Sequence, residues 1–218
     1  MELSESSFKT PENLSFISFE GIDGCGKTTQ IRLLESWLKR NGFNVLCLRE
    51  PGGTTFGEKL REAILESTTK LTTVSEAYLF ASSRAQLLYE KILPFINQSK
   101  KNICILDRYI HSSIAYQGHA RALGIETILD IHRLSPLNIM PNLTFYLNIS
   151  SSTSIVRQKS RNNEKDYFEK EKTSFFDMII RGYNLSKEKL PGEFITLNGE
   201  RNEQEIHSEI IDNLLDKF

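Results

Sequence analysis

Cysteine is scarce: three occur in 218 residues, at Cys25, Cys47 and Cys104. They are too widely spaced for a local cysteine metal motif and fit reduced, largely buried thiols. Histidine is equally sparse. His111, His119, His132 and His207 show no H-E-x-x-H or comparable ligand spacing, which argues against a zinc centre. Neither sign of charge dominates, with 27 Lys and Arg against 28 Asp and Glu and a formal net charge of −1. That balance argues against a large polyanion-binding surface and so against nucleic acid as the main ligand. No apolar run approaches the ~20 residues needed to span a bilayer. The N-terminus has neither a cationic segment nor a hydrophobic targeting core, so no membrane partner and a cytoplasmic location are expected. No internal repeat is apparent.

The chain does have enough apolar residues for a covered core, 39% of the total. At this length a single α/β domain is the economical expectation. Met1 to Asn13 is polar and serine-containing and reads as a loose arm over 1–13, leaving one domain over 14–218. Strand patterns are expected at Phe16–Phe19, Val45–Arg49, Ile103–Leu106, Leu143–Ile149 and Phe194–Leu197. Helical patterns alternate with them at Thr28–Arg40, Phe56–Glu66, Val74–Ile96, Ser112–His119, Ile125–Leu134, Ser152–Ser160, Glu169–Lys189 and Glu203–Leu215. This βα alternation predicts a parallel sheet covered on both faces, although chain order does not reveal sheet order. Pro94 predicts a kink or break near Leu93. Gly182 argues against an uninterrupted helix after Lys172.

The most informative segment is Gly21-Ile22-Asp23-Gly24-Cys25-Gly26-Lys27-Thr28, a full match to GxxxxGK[ST] between a strand pattern and a helix pattern. Glycines in that turn let backbone N–H groups surround an anion at a helix N-terminus. Lys27 would reach the β- and γ-phosphates of a nucleotide, and Thr28 would offer its hydroxyl to Mg²⁺. Cys25 reads as a small side chain that fits the loop. Phosphate binding alone leaves GTPase, ATPase and small-molecule kinase open.

Two further clusters end neighbouring strands, Arg49-Glu50-Pro51-Gly52-Gly53-Thr54 and Asp107-Arg108-Tyr109. Parallel strands converge their carboxyl ends on the crevice where α/β proteins bind ligands. Asp107 is suited to a magnesium shell or a hydrogen bond with Thr28, and Arg108 to clamping a phosphate with its fork of donors. Phe80 and Arg84 are four apart and share one helix face. Such a pair can stack on a nucleobase and donate to its exocyclic oxygen, but from spacing alone a buried Phe beside a surface Arg is the better reading.

Taken together, the phosphate loop, the Arg49–Thr54 segment, the Phe80/Arg84 helix and Asp107-Arg108-Tyr109-Ile110-His111-Ser112-Ser113-Ile114-Ala115-Tyr116-Gln117-Gly118 closely resemble the thymidylate kinase family, over nearly the whole chain after Leu14. The resemblance implies a three-layer α/β/α P-loop kinase fold with a five-stranded parallel sheet in order 2-3-1-4-5. It implies transfer of the γ-phosphoryl group of ATP to dTMP, giving dTDP and ADP for dTTP synthesis, with Mg²⁺ as cofactor and a homodimer packed through the helices around Val74–Ile96 and Ser112–His119.

By the same resemblance, ATP would lie on Gly21 through Thr29, with the Asn198-Gly199 turn towards adenine and Arg157 near adenine or an outer phosphate. A strand-ending surface turn is the alternative for that last segment. Asp23 would meet the deoxyribose 3′-hydroxyl, Phe80 would stack on thymine and Arg84 would bond its O4 side. Arg49 and Arg108 would hold the acceptor phosphate, with Glu50 and Pro51 beside them and Glu50 near the metal with Thr28 and Asp107. Ser113, Tyr116 and Gln117 would complete the nucleoside pocket, where core packing is the other reading of Tyr116. Lys27, Arg108 and a lid arginine, Arg161, would carry catalysis.

The lid segment, at 157–169, resembles the bacterial type. Gly24 stands where some members carry a basic residue, so the lid would have to supply positive charge; Arg157 and Lys159 lie nearby, and a solvated charge run is the alternative. The family pattern falters at Asp166-Tyr167-Phe168-Glu169, where an arginine is lost. Another nucleoside-monophosphate kinase, a deoxynucleoside kinase or a GTP-hydrolysing switch are the competing functions, the last opposed by the absence of an N-K-x-D sequence.

Overall fold

A computed structural model describes residues 8–67, 69–159, 173–215 and 217. Five strands, β1 (Phe16–Glu20), β2 (Asn44–Arg49), β3 (Asn102–Asp107), β4 (Leu143–Asn148) and β5 (Glu193–Asn198), form one sheet in the order β2-β3-β1-β4-β5. All neighbouring pairs are parallel, with Phe16 opposite Cys104, Ile17 opposite Leu143, Leu46 opposite Cys104 and Phe145 opposite Ile195. The order is the one the family resemblance implies. The three central strands are almost wholly buried, whereas β2 and β5 at the edges alternate or thin out in burial. A strand covered on both faces reads as a continuous apolar run, which is why β1, β3 and β4 were easy to locate.

Residues alternate between two cores. Ile17, Phe19, Ile103, Ile105 and Phe145 face one side, packed with Leu34 and Leu38 of α1 (Lys27–Arg40) and Ile210 of α9 (Glu203–Leu215). Phe16, Cys104 and Leu106 face the other, packed with Leu87 of α3 (Thr73–Leu87) and Ile128 of α6 (Ile125–His132). Helix α2 (Thr55–Leu65) is capped by Thr54, whose Oγ1 accepts from Gly57 N at 2.9 Å.

The long third helix does not break at Pro94. It continues from α3 through a π-helical turn, Leu88–Ile92, into α4 (Leu93–Ile96). Proline cannot donate to the preceding turn and its ring crowds the carbonyl there; the widened turn ending at Ile92 accommodates both without ending the helix. The expected helix at Ser112–His119 is likewise α5 (Ile110–Ser113) followed by a π-helical stretch, Ile114–Ala120. Most of that stretch is buried in the chain itself, against α6 and α8 (Thr173–Ser186), with His119 and Ala120 partly exposed.

Gly182 does not interrupt α8. A Cβ there would lie 2.6 Å from Ala115 Cα and 2.9 Å from its carbonyl oxygen. Glycine is needed for close approach of two backbones, and the helix absorbs the intrinsic penalty. Residues 8–13, read as part of a loose arm, are tied down: Lys9 N donates to Asn138 O at 2.9 Å, Met140 N to Lys9 O at 2.7 Å, and Asn142 Nδ2 to Pro11 O at 2.7 Å. Among the described residues no helix is long and apolar enough to cross a membrane.

Candidate active site

The phosphate loop leads from β1 into α1 and lies over the carboxyl end of the sheet. Lys27 is 7% exposed; its Nζ donates to Gly21 O at 2.9 Å and Ile22 O at 3.4 Å and stands 4.0 Å from Asp107 Oδ1. Thr28 and Asp107 open on the same polar cavity. Gly24 has φ +82°, and a Cβ on it would meet Arg157 Cβ and Ser154 O, both at 3.3 Å. A side chain there would be strained by the backbone conformation and tightly packed, and the neighbour that crowds Gly24 is itself basic. Arg157, on α7 (Ser151–Lys159), donates through Nη1 to Gly24 O at 3.1 Å and Gly199 O at 3.0 Å, joining loop and β5 turn. Lys159 is exposed.

Arg108 adopts φ +72°, which only a well-held non-glycine residue sustains. What holds it is a set of fixed partners. Nη2 donates to Asp23 Oδ1 at 2.7 Å, and Nη1 to Gly21 O at 2.9 Å and Tyr183 Oη at 3.1 Å. Beneath it, the buried Glu20 carboxylate accepts from Tyr109 N at 2.8 Å, Ser112 Oγ at 2.6 Å and Tyr183 Oη at 3.2 Å. Burial pushes the Glu20 carboxyl up from its ordinary value, opposed by the Ser112 bond and the Arg108 charge. Sequence reasoning missed Glu20; its signal was a lone acid ending an otherwise apolar strand.

The Phe80/Arg84 pair is the reverse of what spacing favoured. Phe80 is half-buried and lines a cavity, whereas Arg84 is 1% exposed and lies behind the cavity wall. Burial is possible because four of its five N–H groups are engaged. Nε and Nη2 donate to Glu50 Oε2, the former at 2.7 Å, and Nη1 donates to Ser113 Oγ at 3.0 Å and His132 Nε2 at 2.6 Å. His132 Nδ1 lies 2.7 Å from Ile128 O, an acceptor only, so the ring donates there and its Nε2 accepts from Arg84. Desolvation first, and then the Arg84 charge, push the His132 pKa down to about 3. Burial pushes the Glu50 carboxyl up to about 7, with Arg84 opposing. Among the described residues Glu50 Oε1 has no hydrogen-bond partner, and Glu50 borders both the polar cavity and the one lined by Phe80.

Three cavities adjoin one another through shared lining residues and together make up the cleft. The first is walled by Pro51, Phe80, Ser113, Tyr116 and Gln117. It shares Asp23, Glu50, Arg61 and Arg108 with the polar cavity over Lys27, Thr28, Arg49 and Asp107. That one in turn shares Gly24 and Gly26 with a third, bordered by Cys25, Thr29, Gln30, Arg157 and Gly199. Arg49 is exposed and 3.2 Å from Glu58. Asn198 lies outside this cleft: it is exposed, and its Oδ1 accepts from Glu200 N at 3.0 Å. Arg61 was not anticipated; it sits on α2 at the seam of the first two cavities, donating to Pro51 O at 3.0 Å. Arg161 and residues 160–169 of the expected lid lie outside the described residues.

A chamber that sets Phe80, Leu65 and Pro51 among polar side chains, and that meets a glycine loop at Arg61 and Arg108, suits a nucleoside monophosphate set end to end with a triphosphate. The family model for thymidylate kinase matches residues 19–210. The chain belongs to the thymidylate kinase family. It is 44% identical to a thymidylate kinase of Thermoanaerobacter sp. (strain X514), over 90% of this chain and 95% of that one. It is 39% identical to a thymidylate kinase of Chlorobium luteolum, over 93% and 97%, and 36% identical to that of Chlorobaculum tepidum, over 91% and 95%.

Mg²⁺ fits the donor set of this family member. Among the described residues no group of three or more His, Cys, Asp or Glu is arranged as an all-protein metal cage. The Thr28 hydroxyl and the Asp107 carboxylate share one polar cavity, as suits an ion that keeps waters and takes its remaining ligands from phosphates. Glu50 is less suited than expected, since Oε2 is committed to Arg84 and only Oε1 remains.

Proposed function

We propose that this chain is an ATP-dependent dTMP kinase that transfers the γ-phosphoryl group of ATP to the 5′-phosphate of dTMP, giving ADP and dTDP. The observation that carries the reading is that the chamber lined by Phe80 and the cavity over the phosphate loop share Arg108 and Arg61 in their walls. In this reading thymine enters the chamber against Phe80, with Ser113, Tyr116 and Gln117 around it. Tyr116 packs where a ribose 2′-hydroxyl would add volume, which disfavours ribonucleotides by overpacking. Asp23 takes the sugar hydroxyl. Arg84 acts from behind the wall, holding Glu50 and Ser113 in place.

Phosphoryl transfer requires in-line positioning and compensation of negative charge more than a covalent nucleophile. Lys27 and the N–H groups of the loop hold the donor, while Arg49 and Arg108 hold the acceptor phosphate. Arg108 is fixed by Asp23, Gly21 and Tyr183, so little reorganisation accompanies its stabilising role. The acceptor phosphate, with a second pKa of about 6, is already ionised near neutrality and needs no strong base. Mg²⁺, held by Thr28 and Asp107, supplies neutralisation of phosphate charge when bound. Arg161 of the lid adds a further cation to the transferring group in this scheme, because Gly24 has none to give. We further infer a homodimer, packed through α3, which exposes Val74 and Tyr78 at 50% and 58%.

A coupled assay crossing ATP and GTP with dTMP, dUMP and thymidine tests the function. Fastest turnover with ATP and dTMP is expected. Preference for thymidine would indicate a nucleoside kinase, and hydrolysis without an acceptor a nucleotide switch.

A further inference from the structure

Gln117 lines the chamber beside Phe80 yet is 1% exposed, and its amide is held from behind. Its Nε2 donates to Glu76 Oε1 at 3.1 Å. Glu76 is also 1% exposed, and its other oxygen lies 3.4 Å from Arg121 Nε. Arg121 in turn lies over the Phe175 ring at 4.5 Å. Glu76 stands on α3 one turn before Phe80, so the same helix carries the ring that meets a base and the acid that grips the amide.

A side-chain amide turned by 180° exchanges a donor for an acceptor with almost no change of shape. Which end faces a ligand is decided by what the other end is bonded to. A carboxylate paired with a guanidinium only accepts, so Glu76 admits Gln117 in one orientation, with Nε2 inward. Among the described residues no donor reaches Gln117 Oε1. Resting on the dTMP-kinase reading, we propose that Glu76 is a positioning residue for base selection: backed by Arg121, it locks the Gln117 amide so that the chamber presents an acceptor to the pyrimidine edge. An acceptor bonds the N3–H of thymine or uracil and opposes the N3 lone pair of cytosine. The chamber thereby selects pyrimidines that carry a ring N–H, separately from whatever reads the 5-methyl group.

The test uses the full chain and its variants Glu76→Gln and Gln117→Leu, with dTMP, dUMP and dCMP as acceptors. Turnover at saturating Mg-ATP and calorimetric binding are both measured. Glu76→Gln is nearly isosteric, but its amide can donate to Oε1 of a turned Gln117. The expected result is a dTMP-to-dCMP ratio of kcat/KM reduced ~10-fold or more, since a site that bonds a polar group discriminates strongly and loses that on losing the partner. dUMP should move in parallel with dTMP, with KM for ATP unchanged. Gln117→Leu should lose the same discrimination. A merely structural role lowers all three acceptors by one factor; that outcome, or an unchanged ratio in folded Glu76→Gln, overturns the proposal. Wild type that binds dTMP over dCMP without turning it over refutes the kinase reading alone. Wild type that binds neither refutes both.

Discussion

Replacing Arg84 by methionine removes the cation from a pair whose partners are 1% and 3% exposed while leaving an apolar stem of similar reach. Breaking one side of a buried ion pair costs about 3–5 kcal/mol, because the remaining charge loses its compensation. Against a typical total of about 5–15 kcal/mol, that is a large loss. The pH dependence identifies the cause. Burial already pushes Glu50 up to about 7 with Arg84 opposing, so without Arg84 its folded pKa climbs further. A carboxyl whose folded pKa lies above its unfolded value binds more protons in the native state. Its contribution is therefore most favourable at low pH and is lost as pH rises through the folded pKa. Wild type stops losing stability from this group a little above pH 7, whereas the variant goes on losing it, at about 1.4 kcal/mol per pH unit. Urea unfolding followed by far-UV circular dichroism at pH 6.0, 7.0 and 8.5 reads this directly. The penalty of Arg84→Met should grow from pH 7.0 to 8.5, and adding Glu50→Gln should recover much of it. A penalty independent of pH, with no recovery in the double variant, would refute a buried charge pair as the source.

Gly182→Ala should cost about 1–3 kcal/mol, read as a lower Tm, and should raise KM for dTMP, because the new Cβ pushes on Ala115 beside Tyr116 and Gln117. His111 and His132, both pushed down to about 3 by burial, take up protons on unfolding below the ordinary histidine value of 6.5. Their folded pKa is depressed, so the neutral forms favour the fold fully above 6.5 and that advantage is lost as pH falls from 6.5 towards 3. Stability should fall on acidification by about 1.4 kcal/mol per pH unit for each, and His132→Gln should have a slope shallower by about one proton in urea titrations at pH 6.5, 5.5 and 4.5. Arg108→Met should lower kcat about 10²–10³-fold, the usual cost of losing a preorganised partner for transition-state charge, in steady-state assays at saturating substrates.

The sheet was legible because Phe16–Phe19, Ile103–Leu106 and Leu143–Ile149 are runs that only a doubly covered strand tolerates. The loop at Gly21–Thr28 was legible because its chemistry is local. Sheet order came from family resemblance, since nothing in chain order encodes it. What could not be read was set by partners remote in sequence. Arg84 is buried because Glu50, 34 residues earlier, and His132, 48 later, satisfy its fork. No spacing rule carries that. Gly182 was read as a helix weakness when its reason is Ala115 on another helix, and the π-helical turns at Leu88–Ile92 and Ile114–Ala120 follow a helical pattern too closely to be told apart by periodicity. Arg61 joined the cleft only once α2 had folded over Pro51.

The central claim, that one cleft aligns donor and acceptor for direct transfer, is tested most directly by ³¹P NMR of purified chain with Mg-ATP and dTMP. The account predicts appearance of dTDP and ADP in equal amounts, matching the ATP consumed, with no free phosphate. Consumption of ATP that yields inorganic phosphate and no dTDP, or no consumption at all, would contradict it.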